Sequence, residues 1–563
     1  MTMSDNSSAV SKVSWLPVLG WIRTYSSKTA RIDVIAGLSL AAYAIPVSIA
    51  YASLANLPPV MGLYSYLVAG IVYVWFGTSR QLAVGPTSAM SIVVAASVVA
   101  MAADDPARAV AIGSAVALML GTIAVAGRFV GLANAAYFLS DAILIGFKTG
   151  AALYIASTQL PKLFGIQGVS GNFFERVANV VWHLPDTHGL TLVVGLAALG
   201  LFLVFERAFP GRPTTLVVVV AAILAVTAFG LGEKGVKIVG DLPTGLPAIG
   251  IPKIKASELA ELIPVAFACF ILAYGESISV ARTFAQKHGY DINPEQELTA
   301  IGAANIATGL THGYAVAGGM SQTAVNDMSG ASSPLTLVVT SAAIALTLLF
   351  FAGFLHNLPD PVLAAIVLMA ASQLVRGKEL HQLRLVSRRE FYISIIALVG
   401  VLCFGLLDGL LLAAVGSVIM VIAKASRPNI AILGRDPATG QYVNRARYPR
   451  AVDPPGVLVV RAAGAWFYFN IDYIRDQITN LVDNAPAGLK TVIIDCSIVP
   501  AIDPTAGATL RALARSLSAR NIKLALAELR DDVVENLKAI DAEKDLAPIA
   551  AHRPIEVCLE QAR

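Results

Sequence analysis

Two stretches decide the reading of this chain: Ala83-Val84-Gly85-Pro86-Thr87-Ser88-Ala89-Met90, and, in its second half, Ala315-Val316-Ala317-Gly318-Gly319-Met320-Ser321-Gln322. Each is an extended piece of small residues that leads into a short apolar helix. Gly/Pro-interrupted segments at matching places in two halves are the mark of an inverted-repeat membrane transporter. The first is the third apolar segment of its half, and the second is the third after a long loop. The bland alternative is two ordinary glycine-containing kinks. The repeat reading predicts an α-helical polytopic membrane protein with its binding site where the two pieces meet.

The surrounding sequence agrees with a membrane setting. The 563 residues are 56% hydrophobic and only 14% charged, against roughly 25% charged in a soluble domain. Region 431–563 holds 32 of the charges, 16 of each sign. The net +4 therefore belongs to the first 430 residues. From 34 to 79 no residue is charged, which is enough for two spans around the Pro58-Pro59 turn. Further apolar segments lie near 81–103, 109–127, 133–160, 189–205, 213–232, 259–281, 297–311, 320–331, 334–355, 361–375, 391–407 and 409–423, about fourteen in all. With the N-terminus inside, the inner loops carry Arg80, Arg128, Arg207, Arg212, Arg282, Lys287, Arg376, Lys378, Arg384, Arg388 and Arg389, while the short outer loops carry Asp104, Asp105, Arg108, His356 and Asp360. That asymmetry follows the positive-inside rule and places both termini in the cytoplasm. The expected division is a cytoplasmic segment 1–32, a transmembrane domain 33–430 and a cytoplasmic α/β domain 431–563. In the last, strands are expected at 457–462, 466–470, 491–496 and 523–529, with helices at 471–484 and 504–519 between them.

Several classes are excluded. The N-terminus lacks the apolar core of a cleaved signal peptide. Cys269, Cys403, Cys496 and Cys558 have neither metal-knuckle spacing nor a disulfide pattern. The basic balance reflects inner loops rather than a nucleic-acid surface. No phosphate loop or nucleophile–His–acid grouping can be proposed, so neither an enzyme nor a cofactor is expected.

The chemistry expected at the repeat is anion binding. A helix N-terminus carries about +0.5 of an elementary charge and unsatisfied N–H groups. Pro86 suits a first helical position and Ser321 a capping one. Facing each other, the two helix starts would enclose an anion with no fixed cation, and Thr87, Ser88, Ser321 and Gln322 would supply polar contacts. Glu276 lies midway along an apolar helix, where loss of water favours the neutral acid and allows proton uptake and release. It would carry a coupled proton, or else be a structural acid paired with a neighbour. Lys148, deep in the fifth span, would either balance substrate charge or pair with an acid. Asp327 and Asp408 read as structural or interfacial. Two helix starts sum to about one positive charge, so a divalent anion needs a proton on Glu276, a sodium ion or Lys148 besides.

These residues resemble the sulfate permease family of anion transporters. The resemblance rests on Ala36-Gly37-Leu38 through Ile45-Pro46 to Leu57-Pro58-Pro59 with Gly62-Leu63-Tyr64; on Gly85-Pro86-Thr87-Ser88; on Gly146-Phe147, Gly150-Ala151 and Gln159-Leu160-Pro161-Lys162; and on 293–297 with 321–326. Val492-Ile493-Ile494-Asp495 and Ile502-Asp503-Pro504-Thr505 make the tail similar to the sulfate transporter and anti-sigma-factor antagonist (STAS) domain. The resemblance implies seven plus seven inverted spans in core and gate domains, a homodimer, elevator-like transport, and a site between the third and tenth spans. Carried over by position, that site is lined by Val47, Tyr51 and Thr87, with Ser88 and Ala89 following in the half-helix, and by Met320, Ser321 and Gln322. Glu276 falls on the acidic position tied to cation coupling. Vertebrate relatives have arginine at the position of Gln322, and many have glutamine, or bacterial ones glutamate, at that of Val47, so a coupled cation becomes more necessary, with Lys148 as partial replacement. Thr505 matches the phosphorylated position of antagonist proteins, but Pro504 and Ala506 flank it, which favours a helix N-terminal structural role.

The expected function is therefore secondary transport of a small anion across a bacterial inner membrane, a sulfate-like oxyanion or a dicarboxylate, by proton symport. Sodium-coupled bicarbonate transport and anion exchange keep the same architecture. A membrane sensor or scaffold acting through the tail is the reading from a different class.

Overall fold

A computed structural model describes residues 17–22, 25–102, 105–131, 141–169, 171–208, 214–540, 542–546 and 548–561, with only the backbone at 21, 22, 141, 206, 214 and several positions between 406 and 418. Asp104, Arg212 and the side chain of Asp408 thus lie outside the described residues, as does the start of the expected 133–160 segment. The chain forms two compact units, Met1–Ser417 and Val418–Arg563.

The first half runs α1 (Val18–Ile22), α2 (Ser27–Leu54), α3 (Val60–Phe76), β1 (Val84–Gly85), α4 (Ser88–Met101), α5 (Pro106–Phe129), α6 (Asp141–Phe164), α7 (Phe173–Trp182), α8 (Gly189–Ala208) and α9 (Thr214–Phe229). The second runs α10 (Ala256–His288), α11 (Pro294–Leu310), β2 (Ala317–Gly318), α12 (Met320–Met328), α13 (Thr336–Leu346), α14 (Asp360–Ser372), α15 (Gly377–Val386), α16 (Arg388–Phe404) and α17 (Leu406–Ala425). The sequence α2-α3-β1-α4 repeats as α10-α11-β2-α12, so each half contains two helices, a short strand and a half-helix in the same order. Each of the fourteen apolar segments coincides with a helix, and among the described residues five helices are long and apolar enough to cross a membrane. Two helices the hydropathy pattern did not show, α7 and α15, join the spans. The segment expected as one span over 334–355 is not uniform: α13 passes into a π-helical turn at Thr347–Phe351 and then a 3-10 turn at Ala352–Asn357.

The two halves are joined where they interrupt. β1 and β2 pair antiparallel, Val84 opposite Gly318 and Gly85 opposite Ala317. Away from water every backbone group needs a partner, and side chains supply the rest. The Ala83 amide donates to Thr323 Oγ1 at 3.1 Å, and Gly318 N to Ser277 Oγ at 2.7 Å. Asn305 closes on Val316 at both its amide (2.9 Å) and its carbonyl (3.0 Å). Two buried carboxylates tie down the flanking loops. Glu297 of α11 accepts from Thr78 N and Oγ1 (both 2.6 Å), Ser79 N (3.0 Å) and the Tyr73 hydroxyl (2.8 Å), which fixes the approach to β1. Asp33 of α2 accepts from Ser332 N (3.0 Å) and the Ser333 hydroxyl (2.5 Å), which fixes the exit from α12. Helices pack closely through glycine: a Cβ on Gly62 of α3 would lie 1.9 Å from the Ser48 carbonyl oxygen of α2.

The second unit is a five-stranded sheet, β3 (Ile430–Arg435), β4 (Tyr442–Asn444), β5 (Val457–Ala462), β6 (Thr491–Asp495) and β7 (Lys523–Ala527), in the order β4-β3-β5-β6-β7. β5, β6 and β7 are parallel; β3 and β4 add antiparallel. Helices α18 (Ile471–Asp483), α19 (Pro504–Ser518), α20 (Asp531–Ala539) and α21 (Ile555–Glu560) complete it. Successive β6 residues serve opposite faces, Val492 and Ile494 packing with residues of α18 to α20 and Ile493 with Ile555 and Cys558 of α21. Both faces are covered, as parallel strands require. The strand expected at 466–470 is not formed. Trp466 makes one bridge to Ile502, and Asn470 then turns the chain into α18 by accepting from Phe467 N at 2.9 Å.

Candidate functional site

The helix starts that follow β1 and β2 open on one cavity of about 60 Å³. Pro86, Thr87 and Ser88 line it from α4 and its approach, and Gly319, Met320, Ser321 and Gln322 from α12. Tyr43 and Tyr51 reach it from α2, two turns apart on one helix face, and Glu276 from α10. From α14 and the turn after it come Gln373 and Arg376.

The caps differ from the sequence reading. Pro86 stands before the cap rather than first in the helix. Thr87 is the N-cap, extended at ψ 156°, with Oγ1 accepting from Met90 N at 3.4 Å. It wins because a threonine oxygen can accept from the first turn while a proline offers no side-chain acceptor. Its hydroxyl also lies 3.4 Å from Glu276 Oε2, toward which it donates. On the other side the N-cap is Gly319, with no side-chain cap, so the first N–H groups of α12 face the cavity without one. Ser321, already inside the helix, does not cap; its hydroxyl donates to Gln373 Oε1.

Of the expected lining, Tyr51, Thr87, Ser88, Glu276, Met320, Ser321 and Gln322 converge. Val47 is buried on the α2 face between Tyr43 and Tyr51, and Ala89 is buried in α4, but neither lines the cavity. Lys148 does not line it either. Asp327 is structural as expected, paired with Lys287 Nζ at 2.6 Å and His288 Nε2 at 2.5 Å. The cradle is not without a fixed cation, because Arg376 stands in its wall. The sequence signal for Arg376 was hidden in a run of loop cations. Tyr43 carried a weak signal, one helical repeat of eight before Tyr51.

In the second unit Thr505 is an exposed first-turn residue of α19. The capping role belongs to Asp503, whose Oδ1 accepts from Ala506 N and Oδ2 from Tyr468 N, each at 2.7 Å. A larger cavity of about 810 Å³, lined in part by Lys162, Arg176 and Lys237 with Asp360, shares no residue with the small one. It meets α2 at Ser53, two residues beyond Tyr51, and α4 at Ile92, about a turn beyond Ser88.

The family described as the sulfate permease family matches residues 31–397, and the STAS domain matches 448–553. A probable sulfate transporter of Mycobacterium tuberculosis is 31% identical over 530 residues, covering 94% of this chain and 95% of that one. Probable sulfate transporter 3.4 of Arabidopsis thaliana is 31% identical over 93% of this chain and 84% of its own. Among solved structures, the murine solute carrier 26 family member A9 anion transporter superposes with a TM-score of 0.90 at 23% identity, covering 99% and 96% of the two chains. The transmembrane domain of the cyanobacterium bicarbonate transporter BicA gives 0.61 at 22% identity over 70% of this chain and 99% of that domain.

Proposed function

The chain belongs to the sulfate permease family, a multi-pass membrane transport protein rather than an enzyme, and on that footing we propose that it carries a sulfate-like oxyanion or a dicarboxylate in symport with a proton. The observation that carries this reading is the β1–β2 pair, which sets two helix N-termini and a carboxylate around one cavity. The starts of α4 and α12 attract the anion through their dipoles and N–H groups. Thr87, Ser88, Ser321 and Gln322 orient it. Glu276, bonded to Thr87, takes the coupled proton. Protonation removes a negative charge beside the anion, so the two ions favour each other's binding, which is the coupling symport needs. The basic wall of the larger cavity gives anions an approach to the cradle.

The remaining parts of the reading follow from it. Residues 1–32 form a cytoplasmic segment, 33–430 the transport domain and 431–563 a cytoplasmic domain, in a homodimer of the bacterial inner membrane. Transport proceeds by elevator movement of the helices bearing the cradle. The names of the curated relatives support sulfate as the first anion to try.

The test is internal pH in proteoliposomes of wild type and Glu276→Gln, on adding sulfate, bicarbonate, fumarate and chloride in turn, with and without sodium. Acidification with sulfate or fumarate is expected in the wild type and its loss in Glu276→Gln, with anion binding still measurable. A response that requires sodium and moves no protons would overturn proton symport in favour of sodium coupling.

A further inference from the structure

Arg376 lies just past the end of α14, and three contacts define its place. Its backbone N–H donates to Thr149 Oγ1 at 3.2 Å, on α6 one residue from Lys148. Its guanidinium reaches Glu379 Oε1 at 3.2 Å, one turn into α15. Three residues before Arg376, Gln373 accepts from Ser321, which ties the end of α14 to the start of α12. The backbone of Arg376 is thus anchored on one side and its helix latched on the other, while the side chain borders the cavity.

The pair with Glu379 is weakly built. Both side chains are partly exposed, 34% and 40%, and three residues apart. Ion pairs of that kind contribute little and exchange readily. A guanidinium by contrast presents a planar fork that matches two oxygens of an oxyanion. Two helix starts give about one positive charge, one short of a divalent anion, and the wall of the cavity contains no other cation among the described residues.

We propose that Arg376 is the fixed positive partner of the transported oxyanion, contributed from the turn after α14, and that Glu379 is the resting partner the anion displaces. This rests on the cradle reading above and adds to it a residue for charge selectivity. The guanidinium turns from one carboxylate to two oxygens of the anion, while Thr149 holds its backbone in place.

The experiment is sulfate binding to the purified full-length protein, by equilibrium titration with labelled sulfate, for wild type, Arg376→Gln, Arg376→Lys, Glu379→Gln and Ser321→Leu. A charge-assisted hydrogen bond lost at this site raises the sulfate Kd about tenfold in Arg376→Gln. Arg376→Lys recovers part of that loss, since it returns the charge without the fork. Glu379→Gln, which leaves Arg376 untouched, tightens sulfate binding. An unchanged Kd in Arg376→Gln, or an unchanged or weaker one in Glu379→Gln, overturns the proposal. Ser321→Leu separates the two readings: if it abolishes binding while Arg376→Gln does not alter it, the cradle stands and Arg376 has no part in it. Normal binding in Ser321→Leu removes the cradle itself.

Discussion

Glu297, buried, and Glu276, half-buried, stand on neighbouring helices, and their surroundings give them opposite work. Glu297 accepts four donors from Tyr73, Thr78 and Ser79, so its charge is spent on holding the chain before β1. Glu276 has Thr87 at a long 3.4 Å and faces a cavity. The first is a fixed anchor and the second has room to change its partners. A Gln at 297 offers one acceptor oxygen where two served, and its amide hydrogens oppose donors. Glu297→Gln is expected to cost about 2–3 kcal/mol, read as a lower thermal-unfolding midpoint of the detergent-solubilised protein; an unchanged midpoint would show that the network is replaceable. Glu276 was legible in the sequence because it interrupts an apolar run. Glu297 was not legible as an anchor, because Pro294-Glu295-Gln296-Glu297 looks like any solvated first turn and its partners lie more than 200 residues earlier. Arg376 was hidden for a related reason: in a loop rich in cations, nothing local says which one turns inward.

At the scale of elements, periodicity and length were enough to locate all fourteen apolar segments, because a span is a property of local composition. The half-helices were legible for the same reason, through their small-residue approaches. Their caps were not. Whether Pro86 or Thr87 stands at the boundary depends on where the β1–β2 pair ends, and that pair is a contact between halves. The π-helical turn at Thr347–Phe351 and the irregular stretch at 467–469 were likewise set by packing and by a single Asn side chain. Close helix contacts carry their own prediction. Adding a methyl to Gly62 places it against a backbone carbonyl, which cannot rotate away. Gly62→Ala should therefore destabilise by about 1–3 kcal/mol, seen as lower yield of monodisperse protein in size-exclusion chromatography and a lower melting midpoint. Equal yield and midpoint would mean α2 and α3 separate at little cost.

For the molecule as a whole, the two compact units divide labour in a way that can be tested. Every residue that lines the small cavity precedes 377, and the second unit has its own two-sided core. Removing 431–563 is expected to reduce the amount of assembled protein in the membrane while the Kd for sulfate in the folded remainder stays within about twofold, a margin of roughly 0.4 kcal/mol. A loss of affinity equal to the loss of yield would show that the tail shapes the site.

The β1–β2 pairing also sets an order in time. Ala83 and its partner Thr323 are 240 residues apart. At ~5–20 residues per second of synthesis, the first half waits roughly 12–48 s for the second to emerge. During that interval β1 is an unpaired edge inside a newly inserted bundle, with its N–H and C=O groups lacking the partners that β2 will bring. The anion cradle is therefore among the last features a ribosome can complete, and the first half of this protein, released early, is a membrane bundle with half a binding site and an open edge.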